Sequence, residues 1–259
     1  MVLGSYYDDP LAAAAERYWR SEEWRAIRTW LPDSPAKALD VGAGRGIASY
    51  ALAKDRFEVT ALEPDPSALV GAQAIRSLAT EVGLAIQVEQ EFSERLPFTD
   101  AQFDVVFARA VLHHTRDLDG ACSEFHRVLK PGGRLLAIRE HVISRPEDLP
   151  AFFDLHPLHH RYGGENAFLL PRYEQAIRGA GFELQATLAP LESPINYAPY
   201  DLRQLQILIA QRVGSRIPGG SAVVSGLLRL PGAWRMLLPL LQRVDHRPGR
   251  LYSFVARKP

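Results

Sequence analysis

Asp40-Val41-Gly42-Ala43-Gly44-Arg45-Gly46 joins a short apolar run to a helical pattern. Glycines at such a junction allow a tight turn and close approach of backbone N–H groups to a ligand, and the helix start favours negative charge. The spacing is Gly-x-Gly-x-Gly, neither the Gly-x-Gly-x-x-Gly of dinucleotide folds nor a phosphate loop ending in Gly-Lys-Ser/Thr. Glu63 stands 17 residues beyond Gly46, at the end of the next apolar run. A carboxylate in that place can accept both hydroxyls of a ribose. Together the loop and the acid point to an adenosyl-type cofactor. A second kind of chemistry lies in the imidazoles. His113-His114 follows the fourth apolar run, and His156 to Asn166 gathers three His with Arg161, Tyr162, Glu165 and Asn166 around Gly163-Gly164. These groups suit removal of a proton from an acceptor: His113, His159 or Glu165 as base, with His160, Tyr162 and Asn166 as substrate contacts. The His159-His160 spacing defines no metal geometry, so no metal is expected.

Those residues need elements to position them. Apolar runs at Ala36–Val41, Val59–Glu63, Leu84–Glu89, Phe103–Ala108, Arg134–Arg139 and Phe182–Leu188 read as strands, with Leu251–Ala256 as a last one. Helical patterns fill Leu11–Leu31, Ile47–Lys54, Pro66–Val82, Asp119–Leu129 and Pro171–Ala180. Strands alternating with helices at this spacing predict βαβ units and a parallel sheet. Right-handed crossovers then bring the strand C-termini to one edge, where ligands bind near the reversal of strand order. The glycine loop, Glu63, His113 and the 156–166 stretch all fall on that edge.

Composition narrows the class. Hydrophobic residues make up 47% and charged residues 23%, which fits a globular chain rather than a disordered one. Thirty Lys+Arg balance thirty Asp+Glu, which argues against a protein coating nucleic acid with its whole surface. The single cysteine, Cys122, excludes an internal disulfide and reads as a small buried hydrophobe. No apolar run is long enough to span a bilayer, and Met1–Pro10 has no signal-like core. A cytoplasmic protein is expected.

Four segments carry a resemblance to class I S-adenosylmethionine (SAM)-dependent methyltransferases of the type 11 small-molecule group. They are Ala38–Gly46, Leu62-Glu63-Pro64-Asp65, Glu94–Phe98 with Phe103–Phe107, and Leu129–Leu135. The resemblance implies a doubly wound, seven-stranded, mostly parallel α/β sheet of Rossmann-like type, with SAM as cofactor. It assigns cofactor contacts to Asp40, Gly42, Ala43, Gly44, Gly46, Glu63, Pro64 and Arg109. Phe92 stands where the family usually places an adenine-binding Asp, so Glu91, Phe92 and Ser93 are expected to share that side. Asp40 is expected to meet the cofactor's amine. The implied function is methyl transfer from SAM to oxygen or nitrogen of a small molecule, with a SAM-binding protein that performs no transfer as the alternative.

The chain divides into an N-terminal helical segment (1–35), a SAM-binding core (36–188) with a substrate loop at 140–170, a basic helical insert or cap (189–250), and a final core strand (251–259). From Arg203 onward nine Arg and one Lys face one acid, Asp245, a net +9, leaving −9 for residues 1–202. Three roles are expected for the insert: a lid whose arginines meet an anionic acceptor, membrane-surface contact through 203–250 by a peripheral lipid methyltransferase, or ion pairing with the acidic core. Nucleic acid is not expected there, because stacking aromatics are sparse among the arginines.

Overall fold

The computed structural model describes residues 9–155, 166–214, 220–230 and 232–259. Strands β1 (Lys37–Val41), β2 (Glu58–Leu62), β3 (Ile86–Glu89), β4 (Phe103–Arg109) and β5 (Leu129–Ile143) run parallel; β7 (Glu183–Leu188) and β8 (Arg250–Arg257) complete the sheet in the order β3-β2-β1-β4-β5-β8-β7. β8 is antiparallel to both its neighbours. The expected seven strands are joined by an eighth, β6 (Phe168–Leu169), a two-residue parallel addition to β5. Its brevity hides it from any periodicity argument. The chain leaves β1 toward β2 and β3, then returns to lay β4 on β1's other side. The switch point therefore lies between β1 and β4.

Alternation along the central strands builds a core on each face of the sheet. Val106 and Ala108 of β4 join Leu135, Ala137, Phe125 and Tyr173 on one face, while Val105 and Phe107 join Leu136, Ile138, Trp24 and Leu52 on the other. Helices α5 (Leu118–Val128) and α7 (Leu170–Gly179) cover the first face. Helices α1 (Leu11–Arg20), α2 (Glu22–Arg28) and α3 (Ile47–Lys54) cover the second. Helix α4 (Ala72–Val82) lies beside α1.

Three sequence expectations are corrected. The single helix over Leu11–Leu31 is two, because Ser21 is extended and its Oγ accepts the Trp24 N–H at 3.0 Å, starting α2 afresh. Helix α4 begins at Ala72, not Pro66: Asp65 accepts the Ser67 N–H at 2.7 Å, and an Asx turn of this kind competes with helix. The 140–170 stretch expected to be irregular contains the end of β5, α6 (Leu149–Leu155) and β6.

After β7 come α8 (Pro194–Tyr197), α9 (Leu202–Gly214), α10 (Gly220–Leu228) and α11 (Ala233–Val244). No helix among the described residues is long and apolar enough to cross a membrane.

Candidate active site

A cleft of about 960 Å³ opens at the carboxyl ends of β1, β2, β4 and β5. Its floor begins with the glycine loop. Gly42 has φ +61°, and a Cβ there would lie 2.8 Å from Val111 Cγ2, so the loop needs glycine for both conformation and space. Gly46, expected at the cofactor, does not line the cleft; with φ +81° it starts α3 and packs on Ile75. Ala43 N–H donates to the Leu62 carbonyl at 3.1 Å, which ties the loop to the end of β2.

Glu63 fastens the loop from the other side. Its Oε2 accepts the Gly44 N–H at 2.7 Å and its Oε1 accepts the Asp65 N–H at 3.0 Å. The side chain lines the cleft although the residue is buried, and that burial raises its carboxyl above the ordinary value. Each carboxylate oxygen has a second lone pair to offer a hydroxyl. Pro64, Glu91, Phe92, Ser93 and Glu94 continue the lining on this side, with Phe92 65% exposed.

Asp40 sits below the loop at 1% exposure, its Oδ2 accepting from Ser49 Oγ at 2.5 Å. Burial, reinforced by the nearby Glu63 charge, pushes its carboxyl up to about 7. Asp40 and Arg109 line one small recess together with Tyr18, Gly42, Ala43 and Arg45. Arg109 is aimed by Glu23 of α2, whose Oε1 accepts from Nε at 2.8 Å, while Tyr18 places its ring 5.5 Å from the guanidinium. A carboxylate and a guanidinium in one recess complement an amine and a carboxylate, the two charges of an amino-acid group. The glycine loop with Glu63 suits a ribose and this recess suits an amino-acid group, and SAM carries both.

The other side of the cleft gathers three imidazoles beside the Arg139 guanidinium. Glu140, fully buried, accepts the N–H groups of Val111, Leu112 and His113 at 3.0–3.1 Å and lies 2.7 Å from His113 Nδ1. Burial alone would raise its carboxyl, but His113 and the backbone donors prevail and hold it below the ordinary range. As an acceptor, Glu140 selects the His113 tautomer with the proton on Nδ1. The His113 ring lies 4.2 Å from that of His114 and 4.6 Å from that of His141, centre to centre. His141 Nδ1 is 3.0 Å from the Gly249 carbonyl. Arg139 adopts φ +60° and reaches the carbonyls of Ile195 and Ala198 at 2.9 and 3.1 Å. His113, His114, His141 and Arg139 all line the cleft. With three strand spacings of about 4.8 Å between β2 and β5, this side lies about 14 Å from the Glu63 side.

Of the residues expected from the sequence, Gly42, Glu63, Pro64, Glu91, Phe92, Ser93, Arg109 and His113 line the cleft, and Asp40 and Ala43 line the adjoining recess. Gly44 meets it through the Glu63 carboxylate. His159, His160, Tyr162 and Glu165 lie outside the described residues. Asn166 does not line the cleft; its Oδ1 accepts the Ala167 N–H at 2.8 Å. Glu23, Arg139, Glu140 and His141 escaped the sequence reading. Among the described residues no group of three or more His, Cys, Asp or Glu is arranged to hold a metal ion, and none of α9–α11 lines the cleft. Cys122 is fully buried in the core, which pushes its thiol up to about 12.

The chain is similar to known methyltransferases in sequence. Residues 39–137 match the family model described as a methyltransferase domain. The chain is 33% identical over 156 residues to a ubiquinone/menaquinone biosynthesis C-methyltransferase of Brucella anthropi, covering 56% of each. It is 29% identical over 187 residues to the O-methyltransferase resE of Aspergillus sclerotiorum, covering 69% of this chain and 67% of the other. The chain thus spans little more than half the length of the first of these relatives. In fold it is similar to the YcgJ protein of Bacillus subtilis, with TM-score 0.59 at 19% identity over 92% of this chain and 97% of that one.

Proposed function

We propose that this chain, whose residues 39–137 are a methyltransferase domain of the type 11 group of class I SAM-dependent enzymes, moves the methyl group of SAM to oxygen or nitrogen of a small anionic molecule. The observation that carries the acceptor half is the row of His113, His114 and His141 beside Arg139, with Glu140 behind His113. SAM supplies a methyl group on positively charged sulfur, which is displaced in line by a nucleophile. Glu63 and the glycine loop hold the ribose end. Asp40 and Arg109 hold the amine and carboxylate. His113 takes the acceptor's proton at Nε2, and Glu140 stabilises the resulting imidazolium through Nδ1–H.

Oxygen is favoured over nitrogen by the charge of the site. A hydroxyl that ionises gains from the Arg139 guanidinium, whereas an ammonium would be repelled by it. The two named relatives methylate carbon and oxygen respectively, so the atom is read from the product itself. The test is incubation of the purified protein with methyl-labelled SAM and a metabolite extract, followed by mass spectrometry. A labelled O-methyl product is expected, and it should fall at least ~100-fold with His113→Ala while SAM affinity is kept. SAM binding with no labelled product in any extract would favour a binding protein without transfer.

A further inference from the structure

The charge segregation seen in the sequence gains a shape in α10 and α11. Helix α11 has no buried residue. Met236, Leu240 and Val244 are 82%, 58% and 64% exposed, and their spacing of four puts them on one face, with Leu237 at its margin. On α10, Val223 and Leu227 repeat the spacing at 63% and 52%, and Leu230 follows at 58%. Soluble monomers rarely leave so many large apolar side chains of two successive helices open to water. Arg229, Arg235 and Arg243 are exposed beside it.

We propose that this face rests on a bilayer carrying anionic headgroups. Charge selects that occupant. Between Leu202 and Val244 the sequence holds six Arg and no Lys, Asp or Glu. Two copies meeting through this face would oppose arginine to arginine with no acid between them. An anionic lipid surface instead receives the apolar stripe among its acyl chains and the guanidinium groups at its phosphates. A 12-residue helix is about 18 Å long, enough to lie in the interface and too short to span it.

Both ends of the segment are tied to the cleft. Its entry, α8, holds Arg139 through the Ile195 and Ala198 carbonyls, and its exit leads through Gly249, which holds His141, to Leu251 in the cleft lining. A protein seated by α10–α11 would therefore keep its acceptor side near the headgroups, a position suited to an amphiphilic acceptor. The docking stands apart from methyl transfer and is tested without it.

The full chain is sedimented with vesicles of phosphatidylcholine alone or mixed with phosphatidylglycerol, at low and high salt. Sedimentation with the mixed vesicles at low salt is expected, at least ~tenfold weaker with phosphatidylcholine alone and lost at high salt. Met236→Asp with Leu240→Asp should abolish it. Each of Arg229→Gln, Arg235→Gln and Arg243→Gln should weaken it about fivefold. Calorimetry with SAM checks that the variants stay folded. No sedimentation with mixed vesicles, equal sedimentation with neutral ones, or indifference to these substitutions would overturn the proposal. A dimer by light scattering that the Met236/Leu240 variant dissociates, without vesicle binding, would overturn it in favour of a second copy.

Discussion

Two buried carboxylates in the cofactor half serve binding, and one of them lowers stability at neutral pH. Asp40 holds its proton up to about pH 7, against an ordinary value of 3.8. Between those values the unfolded chain releases the proton while the folded chain keeps it, so stability falls as pH rises through that window and the loss is complete above it. Asp40→Asn should raise the melting temperature of the free protein at pH 8, with the gain vanishing near pH 4, while weakening SAM binding; scanning calorimetry and titration calorimetry read the two effects. Glu63→Ala should raise the SAM dissociation constant at least ~tenfold, from loss of a charge-assisted contact of about 1.5–3 kcal/mol. On the acceptor side Glu140 acts through His113. Glu140→Gln should lower kcat ~100-fold with SAM affinity unchanged, and shift the acid limb of the kcat–pH profile downward, since the imidazolium loses its carboxylate partner. A loss of kcat with an unshifted limb would assign Glu140 a structural role only. Gly42 and Glu63 were legible because a strand, a glycine turn and a helix leave one place for each. Arg139, Glu140 and His141 were not. The pairing of β5 with β8 slips between Ala137 and Glu140, and Arg139 turns to positive φ, so alternation no longer tells which way a side chain faces.

At the scale of elements, the N-terminal helices are held by one acid. Asp55, at the C-terminal end of α3, accepts the indole N–H groups of Trp19 and Trp24 at 2.8 Å each and pairs with the Arg28 guanidinium. Asp55→Ala should destabilise the protein by about 2–4 kcal/mol, since several donors lose a charged acceptor at once, and should lower the urea midpoint accordingly. The tryptophans were visible in the sequence as a helical pattern, and their convergence was not: Asp55 lies 27 residues from Arg28 and in another element. The core strands were legible because each is an apolar run bounded by turn residues. Helix boundaries failed at Ser21 and Asp65, where a side chain takes a backbone N–H that a longer helix would have used.

For the whole molecule, zero net charge and an isoelectric point near 7.1 conceal two opposed regions. Opposite patches attract across copies most strongly where the sum is zero. Solubility should therefore pass through a minimum near pH 7 at low salt and recover as salt screens the patches, which light scattering across pH and ionic strength would show. A minimum that deepens with salt would point instead to the apolar face of α10 and α11 as the cause.

Glu23 reaches across this architecture in a way that bears on how the chain is assembled. Its buried carboxylate waits for Arg109, 86 residues later, with Arg139 farther still at 3.8 Å in the finished protein. On a ribosome adding about 5–20 residues per second, that partner follows by roughly 4–17 seconds. Asp55 can seat the first helices once α3 exists, yet the Glu23 carboxylate has no guanidinium partner until the fourth strand is made. Neutralising Glu23 is then a late step of biogenesis, and it is the step that aims Arg109 into the cofactor recess.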